Sequence, residues 1–370
     1  MATKTKTQYG QFYTTNFNYI LKNMVIPEEE THIIEPFTGK GHLLQFIKRK
    51  DLTLELYDID PKFKNTIKRD TLLNPPNYDG KYVLTNPPYL ARNKNKDKSL
   101  YDKYGCNDLY KCFIINLIES NCNGGIIIIP LNFISSIRKG DIELRRKFLS
   151  KFTIDKINIF EEQVFDDTSY TICCISFLKR VSNDTNKKIL PIKAYIYPAN
   201  KIINLILNKQ NNFTIGGEIY NLKINKKYKI ERATRLTKDC MFRSNILLKC
   251  IDDSESNLLG FSVVEYSDLF IDETPKLSAR SYASLVFNIN LTEKEQSDLV
   301  KHANAFINEC RVKYHSLFLT NYRESKKISR KRISFSLAFR ICNFILSTII
   351  KPKLQNINNK INNKINNKIN

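Results

Sequence analysis

The stretch "IIEPFTGKGHLL" (Ile33–Leu44) decides the expected fold. It begins with β-branched residues, Glu35-Pro36 ends that run, and Gly39 and Gly41 stand in the loop before the next apolar run. Glycines at such a turn let the backbone approach a ligand closely. The loop lacks the Gly-Lys-Ser/Thr ending of a phosphate-binding loop, so an ATP site is not indicated.

Strand-like and helix-like runs alternate from residue 33 to about residue 180. The predicted strands are 31–36, 52–60, 81–88, 124–130, 154–160 and 170–179. Helical spacing of apolar residues predicts helices over 42–50, 109–120 and 142–151. This alternation predicts a parallel sheet covered on both faces. The segment between the last two strands is too short for a crossover helix, which predicts an antiparallel pair at that sheet edge.

Basic residues concentrate in the second half of the chain. The formal net charge is +22; residues 1–180 hold 27 Lys+Arg and 21 Asp+Glu, whereas residues 181–370 hold 32 and 16. A basic half beside a nearly balanced half indicates a polyanion-binding module, with a solvated basic surface as the alternative. Residues 181–188 resemble a linker, and the Ile-Asn-Asn-Lys repeat near the end predicts a disordered tail over 353–370.

The cysteines and the apolar stretches argue against a secreted or membrane protein. The nine cysteines show no CxxC spacing and the four histidines are scattered, so we expect free thiols and no metal site. The expected location is the cytoplasm, or the interior of a host cell if the protein is viral. The start of the chain is polar, so no signal peptide is expected. The apolar stretch Ile333–Ile350 contains Arg340, which is costly in lipid, and therefore predicts a buried helix.

Two carboxylates come after the glycine loop at informative positions. Asp58 ends the second predicted strand, where a carboxylate can accept hydrogen bonds from both ribose hydroxyls of a nucleoside. Asp70 follows the place where a third strand is expected, between the strands predicted at 52–60 and 81–88. Its carboxylate can accept a hydrogen bond from an adenine amino group. For each acid alone, a helix cap or a solvated turn is the alternative.

The stretch "TNPPY" (Thr85–Tyr89) ends the strand predicted at 81–88, which is the fourth when a strand before Asp70 is counted as the third. Pro87 and Pro88 stop the strand because proline cannot extend a ladder, and they stiffen the backbone up to Tyr89. The Asn86 side-chain oxygen and the Pro87 carbonyl can both accept from one amino group. Two such acceptors localise the lone pair of an aromatic amine, which is otherwise a poor nucleophile. A surface turn is the alternative interpretation.

Together these motifs resemble those of a gamma-class S-adenosylmethionine-dependent DNA amino-methyltransferase, most similar to the adenine enzymes. The resemblance covers residues 8–179 and also rests on "GQFYTT" (10–15) and "VFDDTSYT" (164–171), in the family's order. It implies a class I methyltransferase fold over residues 1–180, a Rossmann-like, mostly parallel seven-stranded α/β sheet with an antiparallel edge hairpin. A mixed α/β target-recognition domain would occupy residues 189–350.

The resemblance also implies roles for individual residues. S-adenosylmethionine would contact Thr14, Glu35, Phe37, Gly39, Gly41, Asp58, Asp70 and Asn86. The catalytic set would be Asn86, Pro87, Tyr89 and Phe165, with Tyr89 and Phe165 stacking on a base rotated out of the duplex. The candidates for DNA contact in the basic half are Lys226, Lys227, Arg232, Arg235, Arg243, Lys326, Lys327, Arg330, Lys331 and Arg332.

We therefore expect an enzyme that methylates adenine N6 in a short double-stranded DNA site. The resemblance further implies a monomer that protects DNA from a separately acting restriction endonuclease. Cytosine N4 methylation, RNA or protein-glutamine methylation, and DNA binding on an inactive methyltransferase fold stay open as alternatives. Cytosine carbon-5 methylation is excluded, because its nucleophilic cysteine comes after a proline and the chain has no Pro-Cys pair.

Overall fold

The chain folds into two compact units. The computed structural model describes residues 10, 12–165, 170–180, 191–252, 258–269, 271, 281–319, 323–324 and 329–351. The N-terminal unit comprises residues 1–215 and 322–329, and the C-terminal unit comprises residues 216–321 and 330–370. The predicted linker at 181–188 and the predicted tail at 353–370 lie outside the described residues, as do residues 166–169 of the "VFDDTSYT" stretch (164–171).

A nine-stranded sheet forms the centre of the N-terminal unit. Its strands are β1 (His32–Glu35), β2 (Thr53–Asp58), β3 (Ile67–Lys68), β4 (Tyr82–Thr85), β5 (Gly124–Pro130), β6 (Phe152–Phe160), β7 (Ile172–Lys179), β8 (Ile192–Tyr197) and β9 (Lys201–Leu205). Their order across the sheet is β3-β2-β1-β4-β5-β7-β6-β8-β9. The first five strands run parallel, and β7 lies antiparallel to both β5 and β6. The predicted α/β class is confirmed.

The central strands are buried on both faces, as their sequences predict. Every residue of β4 and β5 is buried, and the run Ile126–Ile129 is fully shielded from solvent. Near-continuous apolar runs are typical of parallel strands covered on both sides. The helices of this unit are α1 (Phe17–Ile20), α2 (Ser99–Tyr104), α3 (Leu109–Glu119), α4 (Asn132–Ser135) and α5 (Lys139–Lys151).

The sheet is two strands larger than the sequence predicts. Strand β8 pairs in parallel with β6, and β9 pairs antiparallel with β8, so residues 192–205 belong to this sheet. The structural boundary therefore falls at residue 215, beyond the predicted boundary at residue 180. The antiparallel pair β6–β7 is present but lies inside the sheet, because β8 covers the edge of β6 that was expected to be free.

The segment 42–50 is not the helix that its spacing predicts. Only Leu43–Phe46 forms a 3-10 turn, and Ile47 is extended. Arg49 lies just beyond, where its guanidinium donates to the carbonyls of Pro27 and Glu28, at 3.3 and 2.9 Å. These tertiary hydrogen bonds hold the chain away from a continued helix.

The C-terminal unit is mixed α/β, as predicted. Its antiparallel sheet has the order β10-β13-β11-β12, formed by β10 (Ile230–Arg232), β11 (Phe242–Lys249), β12 (Gly260–Val263) and β13 (Tyr282–Phe287). Helix α6 (Glu293–Tyr314) begins with a capping box between Thr292 and Glu295, and α7 (Phe335–Ile345) continues into a π-helical turn, Leu346–Ile350. Two short strands outside this sheet, β14 (Arg323–Glu324) and β15 (Ser329–Arg330), pair with each other, and β14 belongs to the N-terminal unit.

The apolar segment at 333–350 is a buried helix, as expected. Leu337, Ala338 and Ile341 of α7 belong to a core cluster with residues of α6 and the sheet of the C-terminal unit. The Arg340 guanidinium donates to the Leu222 carbonyl at 2.8 Å, which satisfies the charged group beside that core. Among the described helices, none combines the length and the apolarity that crossing a membrane requires.

Candidate active site

A cavity of about 300 Å³ opens in the N-terminal unit, with lining residues that come directly after β1, β2 and β4. Open α/β sheets bind ligands at the carboxyl ends of their strands, and a cavity of this size suits a small molecule. Its lining residues are Phe12, Tyr13, Phe37, Gly39, Asp58, Ile59, Arg69, Asp70, Thr71, Leu72, Asn86, Pro88, Asn95, Asp97, Leu100 and Leu109.

The loop after β1 makes a tight turn that depends on its glycines. Gly39 and Gly41 have φ angles of +53° and +72°, in the left-handed region that favours glycine. A Cβ atom on Gly41 would lie 2.4 Å from the Phe63 ring. The Gly39 amide donates to Asp58 Oδ2 at 2.7 Å, and the Asp60 amide donates to Asp58 Oδ1 at 2.8 Å. The turn and the carboxylate therefore fix each other.

Two buried carboxyl groups end the neighbouring strands β1 and β2. Burial raises the pKa of Asp58, while its hydrogen bonds from the Asp60 and Gly39 amides oppose that rise. Burial also raises the pKa of Glu35 well above its usual value, and the charge of Asp58 adds to the effect. Glu35 Oε2 is buried and accepts no hydrogen bond from the described residues. A donor group on a ligand would satisfy this oxygen.

Asp70 lines the cavity and also caps a turn. Its Oδ1 accepts hydrogen bonds from the amides of Leu72 and Leu73, at 3.1 and 3.0 Å. The turn-capping alternative is thus realised for one carboxylate oxygen. Of the predicted cofactor residues, those that line the cavity are Phe37, Gly39, Asp58, Asp70 and Asn86, whereas Thr14, Glu35 and Gly41 stand outside the lining.

The Asn86 amide is oriented by three contacts. Its Nδ2 donates to the Phe12 carbonyl at 2.8 Å and to Thr14 Oγ1 at 3.1 Å. The Tyr89 hydroxyl lies within hydrogen-bond distance of Asn86 Oδ1. Both amide hydrogens are directed at the segment around Phe12, and the Tyr89 hydroxyl occupies one acceptor position of the amide oxygen. The second lone pair of that oxygen is left to accept from a further donor.

Tyr89 is a buried ring in an aromatic cluster. Only 2% of Tyr89 is exposed, and its hydroxyl lies 2.5 Å from the Ile128 carbonyl. The rings of Tyr110 and Tyr170 meet it edge-on, at centroid distances of 6.2 and 6.1 Å. Phe12 stacks on it at 5.3 Å. Pro87 is buried as well. The ring is therefore rigidly held, and none of its faces is open to solvent.

The residue after Tyr89 is tied to a buried acid. The Leu90 amide donates to Asp108 Oδ1 at 3.1 Å, directly before α3. Burial raises the pKa of Asp108 to about 6, and the opposing charge of Lys111 lowers it in part. This carboxyl group thus holds the segment directly after the Asn-Pro-Pro-Tyr corner.

We expect Asp108→Asn to make the fold less sensitive to pH. Between about pH 4 and about pH 6 the folded chain keeps this proton and the unfolded chain releases it, so the wild type loses stability as pH rises through that window. Asparagine keeps an acceptor for Leu90 without ionising. The variant should gain roughly 2–3 kcal/mol over the wild type at neutral pH and little at about pH 4. Urea unfolding at both pH values measures the difference in the free energy of unfolding. The exposed Asp102→Asn variant is the control. A gain in stability that does not depend on pH, or an equal gain in the control, contradicts the prediction.

The predicted DNA-contacting residues differ in their exposure. Lys226, Lys227, Arg235 and Arg243 are exposed on the C-terminal unit. Arg232, Lys331 and Arg332 are half-buried, and the Arg232 guanidinium lies 5.6 Å from the centre of the Phe335 ring. Lys326, Lys327 and the Arg330 side chain lie outside the described part of the chain.

Several lining residues were not identified from the sequence. Phe12 and Tyr13 belong to the "GQFYTT" motif. This motif could have identified both residues, but only its Thr14 was predicted to contact the cofactor. Arg69 adjoins Asp70, and its guanidinium donates to the Asn74 carbonyl at 2.8 Å. Asn95 and Asp97 lie in a polar loop without any motif, so only the fold brings them to the cavity.

Residues 14–165 match the family model of the Eco57I restriction-modification methylase. No curated protein matches the chain. The match confirms the resemblance to a DNA methyltransferase of the restriction-modification type and the S-adenosylmethionine cofactor that goes with it.

Among solved structures, the chain resembles a type I restriction-modification methyltransferase subunit from Streptococcus thermophilus, at 15% identity and a TM-score of 0.35, over 50% of this chain and 47% of that one. It also resembles the EcoKI M protein, at 14% identity and a TM-score of 0.36, over 57% and 53% of the two chains. A DrdV–DNA complex matches 66% of this chain and 35% of its own, at 14% identity and a TM-score of 0.41. The chain thus spans about half the length of the two methyltransferase subunits.

Proposed function

From the premise that residues 14–165 match a restriction-modification methylase, we propose that this chain transfers a methyl group to the N6 amine of adenine in double-stranded DNA. One observation carries the proposal. Asn86, held by Phe12 and Thr14, lines the same cavity as Gly39 and Asp58. An acceptor for a substrate amine therefore adjoins a pocket suited to a nucleoside.

The cavity fits S-adenosylmethionine. Asp58 would accept from the ribose hydroxyls, Phe37 and Leu72 offer apolar surface to the adenine ring, and Gly39 lets the backbone approach the ligand. Glu35 stands outside the cavity lining, so its proposed contact with the methionine moiety rests on the resemblance alone. When bound, the cofactor supplies an electrophilic methyl group on a sulfonium centre.

Asn86 and Pro87 would activate the target amine by accepting its hydrogens. The amide oxygen of Asn86 and the backbone carbonyl of Pro87 draw the amine hydrogens out of the ring plane, which localises the nitrogen lone pair. Their fixed positions mean that little reorganisation accompanies the reaction. The contacts of Asn86 with Phe12, Thr14 and Tyr89 keep its oxygen on the side of the target.

The target base must leave the duplex to reach Asn86, which costs a few kcal/mol. Stacking on Tyr89 and Phe165 would offset that cost by roughly 1–3 kcal/mol per contact. The exposed basic residues of the C-terminal unit would contact phosphates and read the short site. Methylation of that site would protect it from a separate endonuclease, and the proposed enzyme acts as a monomer.

Methyl transfer from tritiated S-adenosylmethionine tests the proposal. Purified chain should label duplex DNA, and the labelled nucleoside should be N6-methyladenine after hydrolysis and chromatography. Label in N4-methylcytosine would show that cytosine, and not adenine, is the target base. Label only in RNA or protein would show that the substrate is not DNA. No label in any of them would support DNA binding on an inactive fold.

We expect Asp58→Ala to weaken S-adenosylmethionine binding about 10- to 100-fold, because hydrogen bonds to a charged group contribute roughly 1.5–3 kcal/mol. The change also releases the Gly39 amide and so loosens the glycine turn. Asp60→Ala is the matched control, because the Asp60 side chain pairs with Lys62 at the surface. Isothermal titration calorimetry measures both affinities. Equal affinities for the two variants would show that Asp58 does not contact the cofactor.

A further inference from the structure

Phe12 occupies a position that the proposed target base would need. Its ring stacks on Tyr89 at a centroid distance of 5.3 Å and an interplanar angle of 28°. It also contacts Phe165, at 6.2 Å and 31°. Tyr89 and Phe165 are the two rings expected to hold the base, and Phe12 lies against both of them.

Neither of the two base-stacking rings is accessible as the protein stands. Tyr89 is 2% exposed and Phe165 is 5% exposed, so a purine cannot reach Tyr89 without displacing a neighbour. Phe12 is half-buried, and it is the ring that stacks on Tyr89, whereas Tyr110 and Tyr170 meet Tyr89 edge-on. Phe12 is therefore the ring whose departure would open the stacking face.

The backbone around Phe12 is fixed even though its ring is half-exposed. The Phe12 carbonyl accepts from Asn86 Nδ2 at 2.8 Å, and the Gly10 carbonyl accepts from the Tyr89 amide at 3.0 Å. The ring can swing to another staggered rotamer while both hydrogen bonds persist. Opening the face therefore leaves the orientation of Asn86 intact.

We infer that Phe12 is a stand-in for the target base, which fills the stacking site in the DNA-free chain and is displaced when the adenine enters. The inference rests on the proposed function, since it needs a base that stacks on Tyr89. It makes Phe12 a residue that sets substrate affinity: the site is competent only in the fraction of molecules whose ring has moved, and apparent DNA affinity falls by that fraction.

Removing the ring should strengthen DNA binding. An aromatic pair contributes roughly 0.5–1.5 kcal/mol beyond its buried area, so Phe12→Ala should lower the Kd and the KM for DNA by about threefold to tenfold. Phe12→Leu keeps apolar bulk without a stacking ring and should act in the same direction if the alanine variant folds poorly. Phe46→Ala, a half-buried phenylalanine outside the cavity lining, is the matched control and should leave the KM unchanged. A weaker affinity in the Phe12 variants would instead make Phe12 a permanent wall of the base site and overturn the inference.

Fluorescence provides a direct readout, because the chain contains no tryptophan. Phe12→Trp places a single indole at the stacking site, with Phe46→Trp as the control. The DNA probe is a duplex carrying the site found by modified-base sequencing, or oligo(dA) if no site is found, with S-adenosylhomocysteine present. The emission of the position-12 indole should shift towards longer wavelength on binding, as the ring moves into water, while the control emission stays constant.

Transfer of the tritiated methyl group by the wild-type protein, measured in parallel, separates the displacement of Phe12 from the proposed methyltransferase activity. Methyl transfer to DNA without an emission change at position 12 overturns the stand-in role and leaves the proposed function standing. An emission change on DNA binding without any methyl transfer supports displacement of the ring and overturns the methyltransferase activity. If neither signal appears, both fail.

Discussion

Asn86→Ala should reduce methyl transfer to DNA by about 100-fold to 1000-fold or more, which is the loss that accompanies removal of one pre-positioned polar group in other active sites. The amide oxygen is the proposed acceptor for the target amine, and alanine leaves no side-chain replacement for it. Asn86 also lines the cavity, but Asp58 and the glycine turn do not depend on it, so cofactor affinity should fall far less than methyl transfer does. Single-turnover methylation and calorimetry on the same sample measure the two effects.

Asn86→Asp separates the two functions of this amide. Aspartate keeps an acceptor oxygen but cannot donate to the Phe12 carbonyl or fix its own orientation as asparagine does. We expect activity between that of the wild type and that of Asn86→Ala. Asn74→Ala is the control, because Asn74 is an exposed asparagine outside the cavity lining. Its methyl-transfer activity should equal that of the wild type. If Asn86→Ala lost cofactor binding and catalysis together, the role as amine acceptor would be wrong.

Tyr89→Ala should cost both stability and catalysis. The side chain is almost completely buried among Phe12, Tyr110 and Tyr170, so its removal should lower the free energy of unfolding by roughly 3–5 kcal/mol. It also removes the proposed stacking face for the base. Activity per folded molecule should therefore fall further than in Tyr89→Phe. Urea unfolding and methylation assays measure the two losses.

Tyr89→Phe should be milder but not silent. The ring remains, but the hydroxyl that contacts the Ile128 carbonyl and Asn86 is lost, which should cost about 1 kcal/mol of stability. Because the hydroxyl also positions Asn86, we expect about a tenfold loss of methyl transfer. Tyr220→Phe is the matched control: that half-buried hydroxyl donates to the Phe318 carbonyl at 2.9 Å in the C-terminal unit, outside the cavity lining, and should affect stability alone. Equal activities for the two phenylalanine variants would show that Tyr89 does not orient Asn86.

Much of the site is determined by short stretches of sequence. The glycine turn after β1, Asp58 at the end of β2 and Asn86 directly after β4 all stand where the alternation of strands and turns predicts. These features are local: proline ends a strand and glycine permits a tight turn wherever the chain leads next. The "VFDDTSYT" stretch predicts less of the site, since Phe165 lies against Phe12 and not against an open base pocket.

The sequence by itself determined the parallel α/β core, the order of its motifs and the rigid corner at Asn86–Tyr89, because each depends on neighbouring residues. Only the tertiary structure decided that β8 and β9 extend the sheet, that Asp70 caps a turn, and that Phe12 packs on Tyr89. Those outcomes depend on strand pairing and side-chain packing between distant segments. Periodicity along the chain does not specify which distant surfaces will meet, so no pattern of neighbouring residues predicts them.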